Sequence, residues 1–179
     1  MKLLCIHGAG GGSWQWASWV PVLQAQGLTC QCLELCPRAD LAATTLADYQ
    51  TQVDAQTQAA TEPLVLVGAS LGGLLALRAA VLPPVVGLIL VNAVPPALIP
   101  GWPPQPRRFA RIIRWQDSAP QATHQALPDA NWEAAEAAHR QWRNESGAVM
   151  QALWAGVPLA CKPRVPSLVL AGSLDTTVP

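Results

Sequence analysis

Short apolar runs bounded by glycine and proline recur along the chain and alternate with longer segments of helical spacing. Lys2–Ile6, Leu64–Gly68, Val86–Val91 and Ser167–Ala171 are nearly continuous hydrophobic stretches of strand length, and Leu28–Leu35, closed by Pro37, reads as a further strand. That pattern belongs to strands buried on both faces. Between them the spacing predicts helices over Trp16–Gln26, ended by Gly27, and over Thr45–Ala60, with Thr45 as N-cap and Asp48 three residues later. A third covers Leu71–Leu82, stopped by Pro83-Pro84. Strands alternating with helices imply right-handed crossovers. The expected fold is a three-layer α/β/α single domain over residues 1–179, with a parallel sheet of about five strands.

One stretch breaks the alternation. Residues 94–106 are too rich in proline for regular structure. Beyond them Arg107–Trp115, Asn131–Asn144 and Gly147–Trp154 read as helices. The excursion from about residue 95 to 160 is longer than an ordinary crossover. We read it as a short helical cap, inserted between the fourth and fifth strands and lying over their carboxyl ends.

Composition narrows the function classes. The 179 residues carry 11 basic and 11 acidic side chains, so no net charge argues for nucleic acid or an anionic membrane surface. No apolar run reaches the ~18 residues of a membrane span. The opening Met1–Ile6 resembles a leader, but its apolar part stops at His7. A cytoplasmic location is the expectation. Of the five cysteines, Cys30, Cys32 and Cys36 cluster, without the second ligand pair or histidines of a zinc site. They read as small buried apolar residues in a reducing compartment, and no metal is expected.

The chemistry begins at Gly68-Ala69-Ser70-Leu71-Gly72, which follows an apolar strand and opens a helix. This is the context of a nucleophile elbow, in which a sharp turn presents the serine hydroxyl. The two glycines stand where side chains would collide with the neighbouring strand and helix. By this geometry one oxyanion donor is the backbone N–H of Leu71, and the other comes from a separate loop. The glycine-rich His7–Ser13 follows strand one. It lacks the Gly-Lys-Ser/Thr of a P-loop. It also misses the third glycine of a dinucleotide fingerprint, with Glu34 the nearest acid to close the next strand. It reads as the oxyanion loop, with His7 holding backbone rather than serving as base. Asp175, just past the last strand, has the place and chain order of a triad acid.

These motifs resemble the α/β-hydrolase superfamily. Within it, His7-Gly8-Ala9-Gly10-Gly11-Gly12-Ser13-Trp14-Gln15-Trp16 is similar to the H-G-A-x-x-G-[AS]-W-x-W opening of small esterases that group with plant methylesterases and hydroxynitrile lyases. The resemblance covers Leu3 to about Val94 and returns at Pro166–Pro179. It implies Ser70 as nucleophile, Asp175 as triad acid, and the N–H groups of Ala9 and Leu71 as the oxyanion hole. It also implies a small-molecule ester-like substrate and no cofactor. The family places its histidine after one further strand. Here the only histidines are His7, His124 and His139, all before Asp175. The expectation is therefore a chain that lacks the final strand and helix and is a poor hydrolase as it stands.

The reading is a serine hydrolase of carboxylic esters or thioesters. The alternatives are a non-catalytic or inactive member of the fold, or a lyase or acyltransferase using the same site. Trp14 and Trp16 are placed either to line an acyl pocket or to pack helix against sheet. Arg107, Arg108, Arg111 and Arg114 would share a helical face, most simply a solvated one.

Overall fold

In a computed structural model of the chain, residues 1–97, 99–100, 107–175 and 178 are described. The central sheet has five strands, β1 (Lys2–Ile6), β2 (Thr29–Leu33), β3 (Leu64–Ala69), β4 (Val85–Val91) and β7 (Ser167–Leu170). Its order is β2-β1-β3-β4-β7 and every pairing is parallel. Successive side chains of a strand point to opposite faces. Leu4 and Ile6 accordingly join one core cluster, and Leu3 and Cys5 the other. The first cluster includes Leu46, Tyr49 and Val53 of α2 (Leu46–Gln58) and Leu71, Leu74 and Leu75 of α3 (Leu71–Ala79). The second packs Val65 and Val67 against Trp16 and against Trp19, Val20 and Leu23 of α1 (Trp19–Ala25).

Local chemistry sets the helix ends. Thr45 and Asp48 form a reciprocal capping box at the start of α2, as their spacing predicts. Two predicted helices are shorter than their sequence pattern. Ser13–Trp16 winds as a 3₁₀ turn, and α1 begins only at Trp19. α3 stops at Ala79, and Leu82, which precedes Pro83, lies in the turn that follows.

The segment between β4 and β7 departs further from expectation. Arg107–Trp115 is not a helix. Its β-branched Ile112 and Ile113 form β5, which pairs antiparallel with β6 (Glu145–Ser146). The four arginines therefore share no helical face. Arg107 instead lies over Phe109, Arg111 approaches Asp40, and Arg114 approaches Asp117. A helix that the periodicity missed, α4 (Pro120–Ala126), starts with proline in its first turn, where the absent N–H costs nothing. Asn131 caps α5 (Trp132–His139), which ends five residues short of the predicted Asn144. α6 (Gly147–Ala155) matches its pattern. The proline-rich reading of 94–106 falls partly on residues 98 and 101–106, outside those described.

The cysteines divide. All five are free thiols; Cys5 is buried, Cys30 and Cys32 are half-buried, and Cys36 and Cys161 are exposed. The buried reading thus fails for the last two. Burial, with Cys32 and Cys30 beside it, pushes the Cys5 thiol up to about 12. No helix among the described residues is long and apolar enough to cross a membrane.

Candidate active site

The β3–α3 junction turns at Ser70, whose φ of 50° and ψ of −118° lie where a non-glycine residue is strained. Such a conformation costs on the order of 1–3 kcal/mol and persists only when its surroundings impose it. Here they do. Ser70 N–H donates to Val91 O at 3.1 Å, and Ser70 O accepts from Gly73 N, Leu74 N and Val94 N at 3.0, 3.3 and 3.0 Å. A Cβ on Gly68 would strike the Gly72 carbonyl, and one on Gly72 would strike the carbonyl oxygens of Ile6 and His7. The paired glycines thus let α3 start directly against β1 and β3.

The glycine loop lies beside this turn. A Cβ on Gly8 would sit 3.3 Å from Ser70 Cβ. Gly8 N–H donates to Gln15 Oε1 at 2.9 Å, Gly10 N–H to Glu145 Oε2 at 3.0 Å, Gly11 N–H to Gly8 O at 3.2 Å and Ser13 N–H to Glu34 Oε2 at 2.8 Å. Ala9 N–H makes no hydrogen bond with a described residue, nor does Leu71 N–H at the first position of α3. Two backbone donors near Ser70 are thus left without a partner among the described residues.

His7 is buried and fully engaged. Its Nδ1 donates to Gly8 O at 2.7 Å, and its Nε2 accepts from Leu35 N–H at 3.0 Å. That pattern requires the neutral imidazole with the proton on Nδ1. Burial holds its pKa below the usual value, the Arg143 guanidinium adds to this, and Gly8 O and Glu34 oppose it. Glu34 accepts from Ser13 N–H and pairs with Arg143 Nη1 at 2.9 Å. Its partial burial opposes ionisation, but the Ser13 hydrogen bonds and Arg143 outweigh this and hold the carboxyl below its usual value.

Above Ser70 lies a cavity of about 320 Å³, at the small end of ligand-binding cavities. Ala9, Ser70, Trp115, Trp142, Met150 and Trp154 are among its walls, and none of the described residues lining it is charged. The segment between β4 and β7 supplies most of this lining. Trp14 and Trp16 do not line it; they edge a neighbouring groove of about 320 Å³ together with Trp19 and Trp142. Trp16 is buried against Trp19, so packing is its main role.

Asp175 sits in the turn after β7, beyond the same end of the sheet as Ser70. Its N–H donates to Gly172 O at 3.1 Å and its Oδ1 accepts from Val178 N–H at 3.0 Å. It does not line the cavity, whereas Val178 does. The turn is tied to β4 by Gly172 N–H donating to Asn92 Oδ1 at 2.7 Å. No histidine is hydrogen-bonded to Ser70: His139 Nδ1 meets Thr123 Oγ1 at 2.9 Å, and the His124 ring lies 5.2 Å from that of Trp132. Arg143 and Glu145 reach the glycine loop, and Tyr49 reaches Glu145, without any sequence signal, because these contacts span about a hundred residues or more.

Comparisons with known proteins follow the same outline. No curated protein matches the sequence. Among solved structures, a methylesterase from Arabidopsis superposes with a TM-score of 0.70 at 15% identity, over 94% of this chain and 76% of its own. Polyneuridine aldehyde esterase gives 0.73 at 17%, over 99% and 82%. Methylketone synthase I from tomato, in complex with 2-tridecanone, gives 0.70 at 17%, over 94% and 77%. Identities this low establish shared fold alone. A family model, however, spans residues 3–179, and on that match the chain belongs to the alpha/beta hydrolase family.

Proposed function

We propose that the chain is a serine hydrolase of small, uncharged, apolar carboxylic esters or thioesters. The observation that carries this reading is the strained Ser70 turn, opening into an uncharged aromatic cavity between two open backbone donors. In the proposed reaction Ser70 Oγ attacks the acyl carbon. The carbonyl oxygen becomes an oxyanion held by the N–H groups of Ala9 and Leu71. The alcohol or thiol leaves with a proton, and water then releases the acid from the Ser70 ester. Asp175 is assigned the place of the triad acid, on its position beyond β7. None of His7, His124 and His139 is assigned as base, since their hydrogen bonds and ring contacts lie elsewhere. Placement in the cytoplasm belongs to this reading, and the free thiols are compatible with it.

A second reading, a binding protein that holds an apolar ligand in the same cavity, is favoured by one observation: no described imidazole touches Ser70. An alkyl fluorophosphonate separates the two. Under the hydrolase reading it labels the chain at one site, and Ser70→Ala abolishes the label. Labelling that survives the substitution removes Ser70 as nucleophile. Absence of labelling, with tight binding of an apolar ester, favours the binding protein.

A further inference from the structure

The glycine loop has almost no side chains with which to hold itself, and Gly10 adopts a φ of +63° under the Trp115 ring. Its shape therefore depends on polar ties from outside. Two peptide planes flank Ala9. The plane containing Ala9 N–H is pinned through Gly8 O, which accepts from His7 Nδ1 and Gly11 N–H. The next plane is pinned through Gly10 N–H, which donates to Glu145 Oε2 at 3.0 Å. Arg143 secures the following residues. Its backbone N–H donates to Gly10 O and its Nε to Gly11 O, both at 2.7 Å.

These two residues are themselves immobilised. Glu145 is buried, and its Oε1 accepts from Tyr49 Oη–H at 3.0 Å and from Ser146 N–H at 2.7 Å. Burial, with the Glu145 carboxylate beside it, pushes the Tyr49 phenol up, so it remains a neutral donor. Arg143 spreads its remaining nitrogens over Leu35 O at 3.2 Å and Glu34 Oε1 at 2.9 Å. Both Arg143 and Glu145 belong to the cap segment, at and just before β6, whereas Ala9 belongs to the body.

We infer that Arg143 and Glu145 are positioning residues for the oxyanion donor at Ala9, so that the hole takes its working shape only with the cap seated. This rests on the hydrolase reading above. The physical reason is that oxyanion stabilisation depends on donors pre-aimed at the developing charge. A displacement of about 1 Å costs roughly 10²-fold in rate, while ground-state contacts made elsewhere in the cavity survive it.

The test follows phosphonylation of the full chain by a neutral alkyl fluorophosphonate, whose phosphoryl oxygen enters the hole. Ser70 Oγ forms the P–O bond as the P–F bond breaks, fluoride leaves, and the hydroxyl proton passes to buffer base. Glu145→Ala and Arg143→Ala should lower kinact by about 30- to 100-fold with KI within about threefold, the split of a transition-state interaction. Glu145→Gln, whose single amide oxygen can accept from Gly10 N–H only by turning its NH2 group toward Ser146 N–H, should recover part of the loss, to a kinact between those of Glu145→Ala and the parent. Folding is checked by circular dichroism. Should the alanine variants not fold, Tyr49→Phe and Arg143→Lys carry the test, each expected to lower kinact by about 3- to 10-fold. Unchanged kinact in folded variants, or a loss confined to KI, overturns the proposal while Ser70-dependent labelling of the parent leaves the hydrolase reading standing. No labelling of the parent, or labelling that persists in Ser70→Ala, overturns both.

Discussion

Trp142→Ala is the substitution whose effect follows most directly from the cavity. The Trp142 ring is a wall of the chamber above Ser70 and of the neighbouring groove, each of about 320 Å³. It stands 5.3 Å from the Trp14 ring and 6.3 Å from that of Trp115. Removing it should join the two spaces. In the parent, each methylene added to the acyl chain and buried in the chamber contributes about 0.8 kcal/mol. That is roughly fourfold in kcat/KM, and the gain should reverse where the chain meets Trp142. In the variant the reversal should move out by two to four methylenes, about 1.6–3.2 kcal/mol, so that long-chain esters gain roughly 15- to 200-fold relative to short ones. The assay is kcat/KM for nitrophenyl esters from acetate to dodecanoate, read as ratios within each protein so that differences in active fraction cancel. The half-buried ring also packs, and its loss should lower Tm; a buried tryptophan costs about 3–5 kcal/mol, so this one should cost less. A variant profile parallel to the parent's, in a folded protein, would refute the placement of the acyl chain against Trp142.

Two further outcomes are expected. His7 has a lowered pKa in the folded chain and an ordinary one near 6.5 when unfolded, so the unfolded state binds more protons between those values. Stability should therefore be fully present above about pH 6.5 and fall as pH drops through that value, by at most ~1.4 kcal/mol per pH unit for one proton. Urea denaturation at pH 7.5 and 5.5 should show this loss in the parent and a smaller one in His7→Asn; equal losses would mean that His7 is not the acid-sensitive group. Because no described side chain is hydrogen-bonded to Ser70 Oγ as base, imidazole added to the buffer should raise Ser70-dependent ester hydrolysis, and His124→Gln should leave the uncatalysed baseline and the rescue within about twofold. Turnover that ignores imidazole and collapses in His124→Gln would make that histidine the base.

The difference between what the residues announce and what they conceal is one of contact range. Ser70 is legible because the elbow is a local device: strand, two glycines and helix within a handful of residues. β1 and β3 are legible because burial on both faces leaves continuous apolar runs, and the Thr45–Asp48 box because its partners are three residues apart. β7 carries the same kind of run, yet all four of its residues are exposed, and β2 is only half-buried, so the expectation of burial on both faces fails for these two outer strands. The cap is not legible in the same way. Ile112 and Ile113 look like part of a helix until Glu145 and Ser146, more than thirty residues on, offer strand partners. Arg143 and Glu145 carry no motif at all, since what they bind is the backbone of residues 10 and 11, which any sequence possesses.

The same contrast bears on how the site works. The Ser70 turn is imposed from within the body by Val91, Val94 and the carbonyls packed against Gly72. The turn at Ser70 is therefore preorganised whatever the rest of the segment between β4 and β7 does. The Ala9 loop and the apolar cavity depend on the cap, through Arg143 and Glu145 in one case and Trp115, Trp142 and Trp154 in the other. Under the proposed hydrolase function, substrate binding and oxyanion stabilisation would thus be coupled through one segment, while presentation of the hydroxyl would not. It follows that cap substitutions should separate the two properties of Ser70: its place in the turn persists, while its reactivity toward acyl and phosphonyl groups falls with the hole.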